Sequence, residues 1–317
     1  MNNLHGNLNR ELCVNLNALR LFAAVVESRG FSRGARAAGV SQPAVSKAVR
    51  QLEREVGLPL VERGGRGLRL TEAGSALAEH ARRIFAEERA AEEEVRARRG
   101  LEAGSLRVGA STTIATYLLP PLLAAYAHRH PGVTLRVASL NTREVVQRLR
   151  GYELDVALVE GPVAQAGVDV VPWREDELVV VAPLGHRLGG AGPVEASELA
   201  EEVFLVREPG SGTRAVAEAA LLEHGVALRR TVELGSTEAI KRAVTAGLGL
   251  AVVSRATLAD ELALGALRIV EVRGVRIPRL LSRLALAGRR PSPAARAFEV
   301  LLGAAGTSRA RGPLVPQ

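Results

Sequence analysis

The chain has 317 residues, 47% hydrophobic and 3% aromatic, and its 42 Lys/Arg outnumber 34 Asp/Glu for a net charge of +8. Such a length can bury more than one core, and aliphatic side chains in place of aromatic ones suit an α/β protein. A single cysteine, Cys13, excludes an intrachain disulfide and a multi-cysteine metal site and points to a reducing compartment.

The amino terminus, MNNLHGNLNRELCVNLN, lacks the basic-then-apolar pattern of a secretory signal, and no apolar run reaches the ~20 residues a membrane helix needs. A soluble cytoplasmic protein without a membrane partner is expected. A first helix is predicted from about Leu16 to Ser28, with Leu19, Phe22, Ala23 and Val26 on one face. The run from Phe31 to Arg50, FSRGARAAGVSQPAVSKAVR, then reads as two short helices joined by a tight turn. Ser32 is placed to cap the first, which ends at Gly39. Ser41 caps the second, and Pro43 occupies its first turn, where a missing N–H costs nothing. Val45, Val49, Leu52 and Val56 share one stripe of the second helix. The opposite face carries Pro43, Lys47, Arg50 and Arg54, with Gln42 and Ser46 on its flank. A helix that packs with one face and offers amides, hydroxyls and cations with the other fits the major groove of DNA. Arg54 is set aside as a partner for a carboxylate on its own helix.

Two short strands around Gly64-Gly65-Arg66-Gly67 follow, a hairpin by its turn chemistry, decorated by Arg63, Arg66 and Arg69. Three helices and a basic hairpin make a winged helix-turn-helix whose wing touches phosphates. The charge is placed to match: residues 1–100 hold +5 of the net +8. Lys47 and Lys241 are the only lysines, so an arginine-rich genome accounts for the choice of arginine but not for where the excess lies. A long helix is predicted from Thr71, its cap, to Arg99. Leu77, Ile84 and Ala91 recur on it every seven residues with Ala73 and His80 between, a seam interrupted by Glu87 and Glu94. A helix that joins a second copy while also packing on its own domain is expected.

Beyond Gly104 strands alternate with helices, which argues for parallel, doubly wound sheets. SLRVGA, VTLRVASL and DVALVE form one group and ELVVVAP, VFLV, VEL and GLAVVS a second, with IPRLLSRLALAG returning to the first. Two lobes joined by crossing strands would enclose a cleft. Ser111-Thr112-Thr113, Asn141-Thr142, Ser211-Gly212-Thr213 and Ser236-Thr237 each open a helix, where free N–H groups suit an anion. Arg207 and Arg214 flank the GSGT turn. Each hydroxyl is also an ordinary helix cap. Their convergence selects Ser111, Thr112, Thr113, Asn141, Arg207, Ser211, Thr213 and Thr237 as a candidate small-anion or carboxylate site. None of the six histidines belongs to a metalloprotease, nucleophile-elbow or Cys/His motif, and no phosphate-binding P-loop pattern occurs. Neither an enzyme nor a cofactor or metal is expected.

LRLFAAVVESRGFSRGARAAGVSQPAVSKAVRQLEREVGLPLVERGGRGLRLTEAG resembles, without a gap, the DNA-binding domain of the LysR-type transcriptional regulators. GSLRVGASTTIATYLLPPLL, VREPGSGTR and LGSTEAIKRAVTAGLGLAVVS are similar to that family's effector-binding half. The resemblance implies a winged helix-turn-helix, a linker helix and a two-lobe α/β domain like that of periplasmic binding proteins. It further implies a homo-oligomer, often a tetramer, that binds double-stranded promoter DNA, answers to a small-molecule effector and works with RNA polymerase. Ser41 opens the matching recognition helix; Gln42, Pro43, Ser46 and Lys47 match its positions, and Arg50 lies on the same face. Arg63 and Arg66 match the wing. REPGSGTR points to a subgroup sensing small anions or organic acids. The limits expected are 1–13 for an extension the family pattern lacks, 14–72 for the winged helix and 73–100 for the linker helix. The effector domain takes 104–305, with lobe I at 104–178 and 284–305 and lobe II at 179–283, before a disordered tail at 306–317. The alternative is a two-lobe solute-binding protein with an accessory amino-terminal domain. The missing signal peptide and the placement of charge speak against it.

Overall fold

The computed structural model describes residues 14–62, 67–98, 104–190 and 192–306. The extension 1–13, the wing tip with Arg63 and Arg66, and residues 307–317 lie outside the described residues. Contacts divide the chain into two units, residues 1–92 and 93–317.

In the first unit α1 (Leu16–Glu27) starts where the Asn15 side chain accepts from the N–H groups of Asn17 and Ala18, and it buries Ala18, Leu19, Phe22, Ala23 and Val25. In α2 (Phe31–Ala37) Gly30 stands at the N-cap and no side chain caps the helix. Ser32 is therefore not the expected cap. The helix begins before it, because the chain turns sharply through Arg29 (φ 51°). Gly34 lets α2 close on α1: a Cβ there would fall 2.7 Å from Val25 Cα. α3 (Gln42–Val56) is capped by Ser41, whose Oγ accepts from the Ala44 N–H, and ends at left-handed Gly57. Val61 bridges Leu70, and the Glu62 N–H donates to the Arg69 carbonyl, as a hairpin requires.

α4 (Glu72–Arg98) is capped by Thr71, whose Oγ1 accepts from the Gly74 N–H at 2.9 Å. Its Ala78, Ala81 and Phe85 join Leu19, Phe22, Val45, Val49, Leu52 and Leu60 in one core. Ile84 and Ala91 of the heptad seam face away from that core and are exposed.

The second unit is built on one nine-stranded sheet. β1 (Gly104–Ser111) leads through a π-helical turn (Ile114–Leu118) to α5 (Leu119–Arg129), β2 (Val133–Leu140), α6 (Thr142–Arg150) and β3 (Val156–Glu160). β4 (Val168–Pro183) crosses to the other lobe. There follow β5 (Val203–Val206), α7 (Gly212–Glu223), β6 (Arg230–Glu233), α8 (Thr237–Thr245), β7 (Leu250–Ser254), α9 (Ala259–Ala263) and β8 (Leu267–Val270). β9 (Ile277–Leu286) crosses back and α10 (Pro293–Gly306) closes the first lobe.

The order β2-β1-β3-β9-β4-β7-β5-β6 places β4 and β9 side by side in the middle, with β8 on β4. Each lobe has parallel strands, but β9 pairs antiparallel with β3 and β4, and β4 antiparallel with β7. The sheet is mixed rather than wholly parallel because a chain that leaves one lobe and later returns must cross in opposite directions. The β4–β9 ladder shifts register at Pro172, which has no N–H to give it. The strands end their runs at Ser111, Glu160, Val206 and Ser254, and these ends gather the polar groups between the lobes. No described helix is long and apolar enough to cross a membrane.

Gly74 lies against the hairpin, where an added Cβ would fall 2.0 Å from the Leu60 carbonyl oxygen. Gly74→Ala is expected to cost about 1–3 kcal/mol of stability by overpacking. Gly303→Ala, in a helix with nothing within 4 Å of the new Cβ, should be neutral or stabilising by up to ~1 kcal/mol. Denaturant midpoints of the two variants check the contrast.

Candidate functional site

α3 turns Val45, Val49 and Leu52 into the core of the first unit. Its other face leaves Gln42, Pro43, Lys47 and Arg50 exposed and Ser46 half-buried. Gln42 Nε2 donates to Ser46 Oγ at 3.1 Å, and Arg50 Nε donates to the Ser46 carbonyl at 3.2 Å. These one-turn contacts hold the amide and the guanidinium along the helix. Arg54 donates to Gln51 rather than to a carboxylate, the partner expected for it. On the hairpin Arg69 pairs with Glu62 at 3.0 Å.

In the second unit the polar strand ends form an inner and an outer layer between the lobes. The inner layer centres on Glu160, at the end of β3, and Arg279, on β9, with side chains 2% and 1% exposed and 3.8 Å apart. Glu160 accepts from Ser111 and from Thr213 Oγ1, the latter at 3.1 Å. Arg279 donates to Thr213 Oγ1 at 2.8 Å and to Asp176 Oδ2 at 2.7 Å, and Ser254 donates to the same carboxylate. Burial pushes the Glu160 carboxyl above its usual range against the pull of Arg279 and Thr213. Gly212 brings α7 onto β3: a Cβ there would fall 1.8 Å from the Glu160 carbonyl oxygen.

The outer layer holds Arg207, at the end of β5 and 4% exposed. Its Nη2 donates to Thr112 Oγ1 in the first lobe at 3.1 Å, and its Nη1 to Thr237 Oγ1 in the second at 3.3 Å. Glu208 binds the same guanidinium at 2.8 and 2.9 Å. Nearby, Tyr117 donates across the cleft to the Glu238 carboxylate, which lies 2.8 Å from Lys241 Nζ. Burial and then Glu238 push the Tyr117 hydroxyl up to about 12.

A model of the LysR substrate binding domain matches residues 99–306, and one of the bacterial regulatory helix-turn-helix protein, lysR family, matches residues 16–75. The chain belongs to the LysR family of transcriptional regulators. This regulator is 39% identical over 285 residues to the RuBisCO operon transcriptional regulator of Allochromatium vinosum, covering 90% of this chain and 94% of that one. The regulatory domain of Synechocystis CcmR, solved in complex with 2-PG, is 32% identical with a TM-score of 0.61, over 65% of this chain and 98% of its own. A full-length OxyR variant from Pseudomonas aeruginosa is 27% identical with a TM-score of 0.73, over 92% and 94%.

Of the eight cleft residues selected from the sequence, Thr112, Arg207 and Thr237 meet directly in the regulator. Ser111 and Thr213 meet on Glu160 instead. Asn141 and Ser211 cap α6 and α7, accepting from the Glu144 and Arg214 N–H groups. Ser211 also lines a separate cavity of about 400 Å³ with Arg143 and Arg150. Thr113 is buried and caps nothing. Arg214 pairs with Glu218 and Glu233 and donates from Nη1 to the Arg207 carbonyl at 2.8 Å. Sequence reasoning missed Glu160, Asp176, Arg279, Glu208, Tyr117 and Glu238. Glu160 alone carried a faint signal, a charge ending the otherwise apolar strand VALVE.

Thr213→Val removes a donor from Glu160 and an acceptor from Arg279, so a loss of about 1–3 kcal/mol is expected. Because burial raises the Glu160 carboxyl, the folded protein takes up its proton more readily than the unfolded chain does. The penalty is therefore full at high pH and is relieved as pH falls. Denaturation at about pH 8 and about pH 5 should show the gap between variant and parent narrowing at the lower pH.

Proposed function

We propose that this LysR-family regulator binds double-stranded promoter DNA through the free face of α3, as a homo-oligomer in the cytoplasm. A small anion or organic acid in the interlobe cleft changes that binding, and RNA polymerase is the further partner. The observation that carries the reading is α3 itself, with three aliphatic side chains buried on one face and an amide, a proline and two cations exposed on the other. Gln42 reads a base edge, Lys47 and Arg50 neutralise phosphates, and the wing arginines Arg63 and Arg66 extend the backbone contact. A second copy packs along α4, whose Ile84 and Val95 are 41% and 54% exposed. We read residues 14–72 as the DNA-binding domain, 73–100 as the linker helix and 104–305 as the effector domain.

In the cleft, Thr112, Asn141, Arg207 and Thr237 present the polar groups an effector would meet. Ser111, Thr113, Ser211 and Thr213 shape the walls behind them. The CcmR regulatory domain, a relative of the same half, is solved with 2-PG, which supports an anionic ligand here. The cleft binds and signals; no turnover is proposed for it.

Fluorescence anisotropy with DNA from the regulator's own upstream region tests the reading. Gln42→Ala is expected to cost about 1–3 kcal/mol on the cognate site and little on random DNA. Lys47→Ala should weaken both alike and reduce the log–log salt slope by about 1. Equal losses on both DNAs for Gln42→Ala would remove base reading from that residue. Thr112→Val, which deletes a partner of Arg207, should weaken the effector response with promoter binding retained. An unchanged ligand titration would take Thr112 out of the site.

A further inference from the structure

The guanidinium that Thr112 and Thr237 contact is already engaged. Arg207 Nε donates to Glu208 Oε2 at 2.8 Å and Arg207 Nη2 donates to Glu208 Oε1 at 2.9 Å. This is the two-pronged fork that arginine makes with a bound carboxylate or phosphate. The other Arg207 side-chain contacts are the neutral hydroxyls of Thr112 and Thr237. Burial would raise the Glu208 carboxyl, but Arg207, then a backbone N–H and the Asn141 side chain, hold it below the usual carboxylate range. An ionised carboxylate thus already sits on Arg207, and it belongs to the chain. Its side chain is 24% exposed against 4% for Arg207, so it can swing outward while the guanidinium stays buried.

We propose that Glu208 is a built-in occupant of the anion subsite, which an effector must displace to reach Arg207. The proposal rests on the reading of this cleft as an anion-responsive site. An internal competitor divides the affinity of every incoming anion by the same factor, since only the fraction of molecules with the fork open can bind. The ranking of anions is unchanged, but a threshold is set. A simple monocarboxylate offers Arg207 the same group Glu208 already provides, and it loses the freedom of a separate molecule on binding. A phosphate monoester brings a charge of about −1.5 to −2 and three acceptor oxygens. Glu208 therefore keeps monocarboxylates out at ordinary concentrations and admits phosphorylated ligands.

The test is calorimetric titration of the full-length regulator, its Glu208→Gln variant and, as a control, Glu218→Gln, whose 42%-exposed carboxylate pairs with Arg214. The probes are inorganic phosphate, 2-PG and acetate. Glu208→Gln should raise the affinities for phosphate and 2-PG by a common factor of about tenfold or more and bring acetate into the measurable range. Glu218→Gln should match the parent. Anions that bind the parent but bind Glu208→Gln equally or more weakly would overturn the proposal and leave the anion site standing. Binding of no probe to either protein would overturn the anion reading of the cleft and this proposal with it.

Discussion

Two opposite charges without access to water, Glu160 and Arg279, stand where the lobes of the effector domain meet. A buried charge costs several kcal/mol unless it is paired and its remaining hydrogen-bonding capacity is met. The partners come from both lobes and from a crossing strand: Ser111 from β1, Thr213 from α7, Asp176 from β4 and Ser254 from β7. Ser111 and Glu160 belong to one lobe, whereas Thr213 brings its hydroxyl from the other lobe to both Glu160 and Arg279, so that link exists only with the lobes together. The absence of a side chain at Gly212 is what lets α7 reach the Glu160 carbonyl. Directional polar contacts, rather than apolar area, thus define how the lobes meet. The consequence is an arrangement with discrete alternatives, because hydrogen bonds and ion pairs are made or broken rather than gradually stretched.

The DNA-binding unit solves a different problem with the same economy. Its core is small, so helices must approach closely, and Gly34 and Gly74 stand at the two tightest crossings. Close packing on the inner side leaves Gln42, Pro43, Lys47 and Arg50 on the outer face of α3 exposed among the described residues. There the Gln42–Ser46 and Arg50–Ser46 contacts restrain long side chains in advance. A group already restrained loses less conformational freedom on binding than a free one, which favours recognition over mere attraction.

Much of this was legible in the residue pattern and some was not, for identifiable reasons. The helices of the first unit followed from period and caps, because an amphipathic helix on a small core has one apolar stripe and one stop signal. Ser32 misled, since a hydroxyl near a helix start looks like a cap whether or not the chain turns one residue earlier. The lobes emerged from alternating strands and helices. The antiparallel crossing did not, because strand direction depends on partners remote in sequence. In the cleft, the hydroxyl-rich turns could be read as helix starts and drew attention to Thr112, Arg207 and Thr237. Glu208, which binds Arg207, and Glu160, on which Ser111 and Thr213 meet, were harder to read as site residues. One looks like a loop carboxylate beside an arginine, and the other sits at the end of an apolar strand whose burial only the fold creates.

The cleft's polar groups satisfy one another across the gap, and this bears on how a ligand could signal. Arg207 has Thr112, Thr237 and Glu208; Tyr117 has Glu238; Lys241 has Glu238, Glu261 and the Thr257 carbonyl. A ligand entering such a site exchanges contacts instead of adding them. What it contributes is the difference between its own hydrogen bonds and those it replaces, and only a difference between lobe arrangements can shift their populations. The apolar clusters of the described residues stay within one lobe or the other, each with the crossing-strand residues on its own side. A change in the polar seam can therefore move the lobes as bodies while both cores stay packed. The strands that carry the movement, β4 and β9, lose their regular ladder at Pro172, beside Trp173, whose indole N–H is held by the Leu302 carbonyl of α10. The irregularity in the crossing ladder is thus tied to α10 of the first lobe, which leaves the second lobe with no such tie at that point among the described residues.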